Sequence, residues 1–510
     1  MNETRTKKVS RNIIFATIFQ LTKAVLLFIS RVIFAKILGP QYLGINGLFS
    51  NVLTVLSLAD LGINSALMYS LYKPLANDNK EEISAYMNFF KKMYNLIALV
   101  VFLLGIMLIP FLKYIINLPN DVPHIYIYYI ILLLNSVISY LFIYKTTLLA
   151  ADQKQYILNK YDTIFQVILF VLQILVLVLT KSFALYLSLN ILCTFTGNLF
   201  KVRAANKVYP YLKDNKSIDI NKASKKDIFS NIKSMFIYKI GGIIQSNTDS
   251  ILISIFVGTI TVGYYSNYSL IVMEIVAFIT LMFTSLKASV GNYNITNNSE
   301  NQYRIFNMLE VYNFWIVGFC SVCLLTLTPT FIQIFFGKDY ALSQLFLIFL
   351  ISNFYTSNIR QTLWVYRETS GIFNKTKYVT MVTAVINILL SIIMGYYFGL
   401  SGIVLATVIS RMLYAWWKEP LVIYKDIFHK SANEYFIKYI VRIIIIAFIY
   451  ILIELIFKFI NINNMILLLI IKAVVSVIII ALVFFIVYRK NEAFSFITDK
   501  LKGELHGKRN

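Results

Sequence analysis

Acidic residues are scarce in this chain: 24 Asp and Glu stand against 47 Lys and Arg in 510 residues, a formal net charge of +23. Charge of either sign is thin, at 14% of residues, where soluble domains carry about 25%. Histidine is nearly absent, and His124, His429 and His506 lie scattered at loops and tail. That excludes a His-built metal or catalytic cluster. Cysteine is equally rare. Cys193, Cys320 and Cys323 all lie in apolar segments. The C-x-x-C at 320–323 lacks a βαβ context for redox work, so it reads as small apolar side chains. No glycine-rich nucleotide loop occurs, which argues against direct drive by ATP. No catalytic, cofactor or metal residue is assigned. No cleavable leader is expected, because the first apolar segment is long and no small-residue cleavage site follows it.

What the chain does have is apolar length. Hydrophobic residues make up 58% of it, in runs of about 20 residues that recur from end to end. Only helices and closed barrels satisfy their backbone in lipid, and these runs lack the alternation of barrel strands. The expected fold is therefore an all-α polytopic membrane protein of about 14 transmembrane helices. The spans are placed near 12–38, 44–71, 93–112, 125–150, 163–180, 183–200, 234–257, 263–290, 311–332, 342–364, 378–398, 402–423, 439–460 and 465–488.

The positive charge falls mainly in alternate connections. Those assigned to one side hold roughly thirty Lys and Arg, against about five on the other, so the rich side reads as cytoplasmic, with both termini. The poor side carries Lys36, Lys113, Lys181, Lys338 and Lys458. Its loops are too short for a catalytic domain. A nucleic-acid partner is excluded, since no reading module accompanies the charge.

An internal repeat sets the domain plan. LGPQYLGINGLFS after the first span aligns with VGTITVGYYSNYS after the seventh, matching Gly39 with Gly258, Gly44 with Gly263 and Ser50 with Ser269 at one offset. Both copies begin on the same side, so the repeat is parallel, the plan of transporters that alternate access between halves. The expected organisation is a six-helix lobe over 1–205, a second over 206–430 with a basic connection at 201–233, and two extra helices with a polar tail over 431–510.

Charges at bilayer depth are costly, at about 2.5–3.5 kcal/mol each on insertion scales, and mark polar paths. At about 100° per residue, Thr17, Gln20, Lys23 and Arg31 share one arc of the first span. Ser57, Asp60 and Asn64 share a face of the second, and Tyr238, Gln245 and Asp249 a face of the seventh. Arg360 closes the polar face of the tenth span, while Glu274 and Arg411 add charge on the eighth and twelfth. Asp249 sits one position from the repeat equivalent of Arg31, so the two are expected to face each other. Lys145 and Lys287 read as snorkelling cations, Tyr264, Tyr265, Asn267 and Tyr268 as an interfacial belt, and Glu454 with Lys458 as an i,i+4 pair. The cationic bias points to an anionic substrate, which Lys and Arg bind well.

At these residues the chain resembles bacterial polysaccharide-repeat-unit flippases. The resemblance is carried by LGPQYLGINGLFSNVLTVLSLADLGINSALMYSLYKPLANDN, by LLAADQKQYI at 148–157, by NTDSILISIFVGTITVGYYSNYSLI at 247–271 and by SVGNY at 289–293. RQTLWVYRETSGIF at 360–373 and KEPLVIYKDIFHKSANEYF at 418–436 extend it over nearly the whole chain. This is the polysaccharide transporter branch of the multidrug/oligosaccharidyl-lipid/polysaccharide exporter superfamily, which also holds lipid II flippases and MATE drug exporters.

The resemblance implies two six-helix lobes in a V with a central cationic cavity, and two added helices like those that shelter a lipid tail. It implies transfer of an undecaprenyl-pyrophosphate-linked oligosaccharide, destined for capsule, exopolysaccharide or cell wall, from the inner to the outer leaflet. The bilayer and the pathway's polymerase and glycosyltransferases are the implied partners, and the bacterial inner membrane the implied location. Lys23, Arg31, Gln20, Arg360 and Arg411 are the substrate-binding candidates. Asp60, Asp249 and Glu274 are the candidates for coupling to a proton or sodium gradient. A MATE-like drug antiporter is the alternative in the same class, although its cavity should be acidic. A membrane enzyme acting on the same lipid carrier is the alternative from another class.

Overall fold

The computed structural model describes residues 5–57, 63–119, 122–213, 222–460 and 462–495. No strand occurs among the described residues. The chain divides into two compact units, Met1–Gly263 and Tyr264–Asn510. The first holds α1 (Arg5–Leu56), α2 (Ile63–Ala76), α3 (Lys80–Leu108), α4 (Ile125–Ala151), α5 (Gln155–Thr180), α6 (Phe183–Val208) and α7 (Lys222–Phe256). The helix α8 (Thr259–Thr296) opens at the end of the first unit and runs into the second. The second continues with α9 (Ser299–Phe335), α10 (Gln344–Asn358), α11 (Gln361–Thr369), α12 (Phe373–Leu413), α13 (Ala415–Ile423), α14 (Asn433–Lys458) and α15 (Met465–Tyr488).

Among the described residues, fourteen span-length pieces emerge once the breaks are read. α1 bends at Gly39, where φ is 81° and ψ 179°, a region open essentially to glycine. Pro40 then starts the second arm, where its missing N–H is not needed, and α2 completes that span. α12 bends in the same way at Gly399, with φ 57°, and α13 completes its second arm. α10 and α11 make one span, broken between Asn358 and Gln361. Nine of the continuous helices among the described residues are long and apolar enough to cross a membrane.

Several helices outrun the expected spans because their polar ends are capped. Asn79 accepts from the Glu82 N–H at 3.1 Å and donates back to the Glu82 carboxylate at 3.2 Å, a reciprocal cap that starts α3 at Lys80. Asn298 accepts from the Asn301 N–H at 3.0 Å and starts α9 at Ser299. The stretches 80–92 and 299–310, expected as loops, are therefore helical.

Apolar side chains point outward as well as inward. On α14, Ile444, Phe448, Ile451 and Leu455 form a stripe more than half exposed, while Tyr439, Arg442, Ile446, Ile449 and Ile453 are buried. A stripe of that size would drive aggregation in water. Facing lipid it costs nothing.

The repeat is present in the backbone. Gly39 and Gly258 both take positive φ, 81° and 131°. Within the first unit the two copies touch reciprocally. A Cβ on Gly44 would collide with the Thr259 carbonyl, and one on Gly263 with the Pro40 carbonyl. Thr259 is the repeat equivalent of Pro40, as Gly263 is of Gly44. One close contact is thus made twice, as in a self-complementary interface.

Candidate functional site

The first-span polar face lies on the first arm of α1. Gln20, Lys23 and Arg31 are all half-buried there. Lys23 makes no ion pair among the described residues. Arg31 follows the buried Ser30 and lies near enough to Tyr186 of α6 for its charge to act on that phenol. The arm is pinned to α6 by edge-on rings, Phe34 against Phe183 at 5.7 Å and against Tyr186 at 4.9 Å. Such pairs fix an element beyond what their burial alone contributes. Asp249 on α7 is 4% exposed. Its neighbour Ser250 accepts from the Asn51 amide at 3.0 Å, tying α7 to the second arm of α1. Asp60 lies outside the described residues, as do the side chains of Thr17 and Tyr238. Asn64, which shares the face of Asp60, accepts from Thr147 Oγ1 at 2.6 Å and holds α2 on α4.

At the end of the same unit, Asp152 of the LLAADQKQYI stretch accepts from the Tyr209 hydroxyl at 2.6 Å and pairs with Lys154 at 2.6 Å. Burial, with the Asp152 carboxylate beside it, pushes the Tyr209 hydroxyl far up.

In the second unit Glu274 is half-buried on α8. Arg360 and Arg411 are each only 6% exposed, and both face protein groups. Arg360 Nη1 donates to Glu419 Oε2 at 3.0 Å, while Arg367 Nη1 donates to the other oxygen at 3.3 Å. Trp364 Nε1 adds a third bond to Glu419 at 3.3 Å. Arg411 Nη1 reaches the Asn353 carbonyl, the Asn353 side-chain oxygen and Thr356 Oγ1 at 3.0, 2.7 and 2.9 Å. These groups sit at the break between α10 and α11, where Asn313 of α9 donates to the free carbonyls of Asn358 and Ile359 at 3.2 and 2.7 Å. A broken helix in a bundle must have its loose backbone groups met in this way. The arrangement makes Arg360 and Arg411 ties that hold the break.

Sequence reasoning missed the acids. Glu419 and Glu310 lie near span ends, where a carboxylate does not stand out in sequence, yet both are only 3% exposed, and Glu310 Oε2 accepts from Arg442 Nη1 at 2.7 Å. The available signal was arithmetic: buried Arg360, Arg367 and Arg442 require acids, and these are the acids flanking the same apolar segments. Other expectations also change. Lys287 pairs with Glu368, and Lys145 donates to Asn206 at 2.8 Å, so neither simply snorkels. Glu454 meets Lys472 of α15 at 3.5 Å rather than Lys458. Tyr268 is buried and accepts from the Leu342 N–H at 2.9 Å, and Tyr264 packs edge-on against Tyr340. They dock α8 on the turn after α9 instead of forming a belt.

Residues 9–286, more than half the chain, match the family described as "Polysaccharide biosynthesis protein". The chain belongs to that family. No curated protein sequence matches it. Among solved structures, a lipid II flippase MurJ in an inward closed conformation is similar with a TM-score of 0.67, at 15% identity over 94% of this chain and 99% of that one. An inward-facing multidrug resistance MATE family transporter is similar with a TM-score of 0.56, at 15% identity over 78% of this chain and 94% of that one. A mutant of the Vibrio cholerae MATE transporter VcmN is similar with a TM-score of 0.54, at 12% identity over 85% and 100%. The fold is the one shared by these transporters, and the chain is a multi-pass membrane protein of the polysaccharide biosynthesis family.

Proposed function

We propose that this family member is a flippase that moves an undecaprenyl-pyrophosphate-linked oligosaccharide from the inner to the outer leaflet of a bacterial cytoplasmic membrane. Both termini are cytoplasmic in this reading, and an ion gradient supplies the drive. The observation that carries it is membership in the polysaccharide biosynthesis family by a chain with a transporter fold along 94% of its length. Such a pathway builds its glycan on a lipid carrier with a charged pyrophosphate, and that charge must cross a core that rejects it. Lys23 and Arg31, half-buried cations on one face of the first arm of α1, are suited to receive the pyrophosphate, with Gln20 beside them. Arg31 offers a planar fork that matches phosphate oxygens. Arg360 and Arg411 serve the same process by holding the broken tenth span in place. Asp249 and Glu274 are the candidates for the coupling ion.

The test is flipping in proteoliposomes that hold a labelled undecaprenyl-pyrophosphate oligosaccharide in one leaflet, with and without a proton gradient. The wild type is expected to flip it. Arg31→Ala is expected to lose about 10- to 100-fold, the worth of one charge-assisted hydrogen bond of roughly 1.5–3 kcal/mol. Flipping that ignores Arg31 would move the contact elsewhere and keep the function. Export of a small organic cation, with no flipping under either condition, would instead establish the MATE-like alternative.

A further inference from the structure

A second site opens in the second unit. The starts of α9 and α14 and the end of α15 enclose a half-open cavity of about 570 Å³, within the usual range for small-ligand sites of about 300–1,000 Å³. Its polar side carries Arg304, Lys430, Lys438 and Arg442, and its apolar side Met308, Val311, Ile437 and Val441. Ile437 is 63% exposed and Val441 47%, so this apolar wall continues onto the outer surface of α14.

The cations are not all spent on protein acids. Arg304 pairs with Glu492. Lys438 reaches Glu434 Oε1 at 2.6 Å and Asn307 at 3.3 Å. Arg442, only 3% exposed, lines the floor and gives Nη1 to Glu310. Arg442 also engages the Tyr488 hydroxyl, and a guanidinium has N–H donors beyond these two. Lys430 makes no direct ion pair among the described residues, although its charge is felt by Glu434, and it rests 4.6 Å from the Tyr303 ring centroid. Glu300 is the acid left over, and it stands exposed at the rim. A buried guanidinium, an exposed lysine that makes no direct ion pair among the described residues, and an apolar wall running to the surface make a site for an amphiphile with an anionic head. Basic pockets between membrane helices hold lipid head groups by this chemistry.

We propose that this cavity binds a phosphate-bearing lipid, with its phosphate on Lys430, Lys438 and Arg442 and its chain along Ile437 and Val441. The site is lined by residues of the second unit alone and does not rest on which substrate the protein carries. Its test reads binding, so its failure is distinct from failure of the flippase reading.

The experiment uses the purified full chain in detergent, titrated with dihexanoyl phosphatidylglycerol, with dihexanoyl glycerol or with inorganic phosphate. Thermal stability and native mass spectrometry are the readouts. Phosphatidylglycerol is expected to bind saturably and raise Tm, while the other two probes leave Tm unchanged at equal concentration. Lys430→Ala with Lys438→Ala, both at the water-facing rim, should weaken phosphatidylglycerol about tenfold or more. Val441→Trp fills the cavity without touching a charge and should abolish binding while the protein stays folded. Stabilisation by inorganic phosphate alone would overturn the lipid assignment. Stabilisation by phosphatidylglycerol that is equal in the wild type and in both variants would overturn the site.

Discussion

Glu419 is the residue on which the largest local effect should fall. It satisfies two guanidiniums and an indole at once, and its own side chain is 4% exposed. Removing one partner of a buried pair costs about 3–5 kcal/mol, because a charge is left in a low-dielectric site. Glu419→Gln should therefore lower the thermal unfolding midpoint clearly more than an exposed control such as Glu300→Gln. An equal shift would mean that water reaches the cluster. For Glu310 and Arg442 the expectation splits. Either Glu310→Leu or Arg442→Met alone should destabilise, while both together should recover much of the loss, since a well-packed apolar pair can match a buried ion pair. A double-mutant cycle by thermal unfolding measures that coupling. The sequence displayed these cations clearly, because charge inside an apolar run is conspicuous. It hid the acids, because Glu310 and Glu419 lie where a span meets its polar end, and a carboxylate there looks solvated until other helices cover it. The stretches that carry the family resemblance repeat the lesson. RQTLWVYRET and KEP hold Arg360, Trp364, Arg367 and Glu419, residues that grip one another. A recognisable motif in this chain marks what keeps a broken helix in place.

At the scale of the element, the repeat was legible because glycine is demanded by geometry. Gly39 and Gly258 turn the chain at positive φ, and Gly44 and Gly263 let two backbones meet. Spacing alone picked out all four. Gly44→Ala or Gly263→Ala drives a methyl into a backbone carbonyl that no rotamer change can clear. Each is expected to reduce folded yield and Tm strongly, as judged by fluorescence-detected size exclusion. Gly39→Ala meets no neighbour within 4 Å. Its cost should be the strain of holding a side chain in that glycine-only backbone region, roughly 1–3 kcal/mol. The order Gly44→Ala worse than Gly39→Ala separates packing from backbone strain, and the reverse order would mean that the reciprocal contact is loose. Helix ends were less legible. Hydropathy measures what fits in lipid, whereas α3 and α9 continue to wherever Asn79 and Asn298 cap them, so the apolar runs under-measure the helices.

For the molecule as a whole, the number of spans followed from composition, because lipid leaves a backbone few choices. Which way they run is a separate question, on which the distribution of Lys and Arg bears more directly than any contact does. Lys36, Lys113 and Lys181 are exposed and lie on the side expected to be charge-poor; Lys80, Lys160 and Lys375 are exposed and lie on the side expected to be charge-rich. Replacing each in turn by cysteine gives a direct test. The background needs attention only at Cys320 and Cys323, which are partly accessible, since Cys193 is buried. A maleimide that cannot cross membranes should label the first three positions in intact cells and the second three only after permeabilisation. The opposite pattern would invert the chain, put the cavity lined by Lys430 and Arg442 at the outer leaflet, and set the transport direction proposed above against the positive-inside rule. Labelling of both sets in intact cells would mean two insertion orientations, which a charge imbalance of roughly thirty to five should not permit.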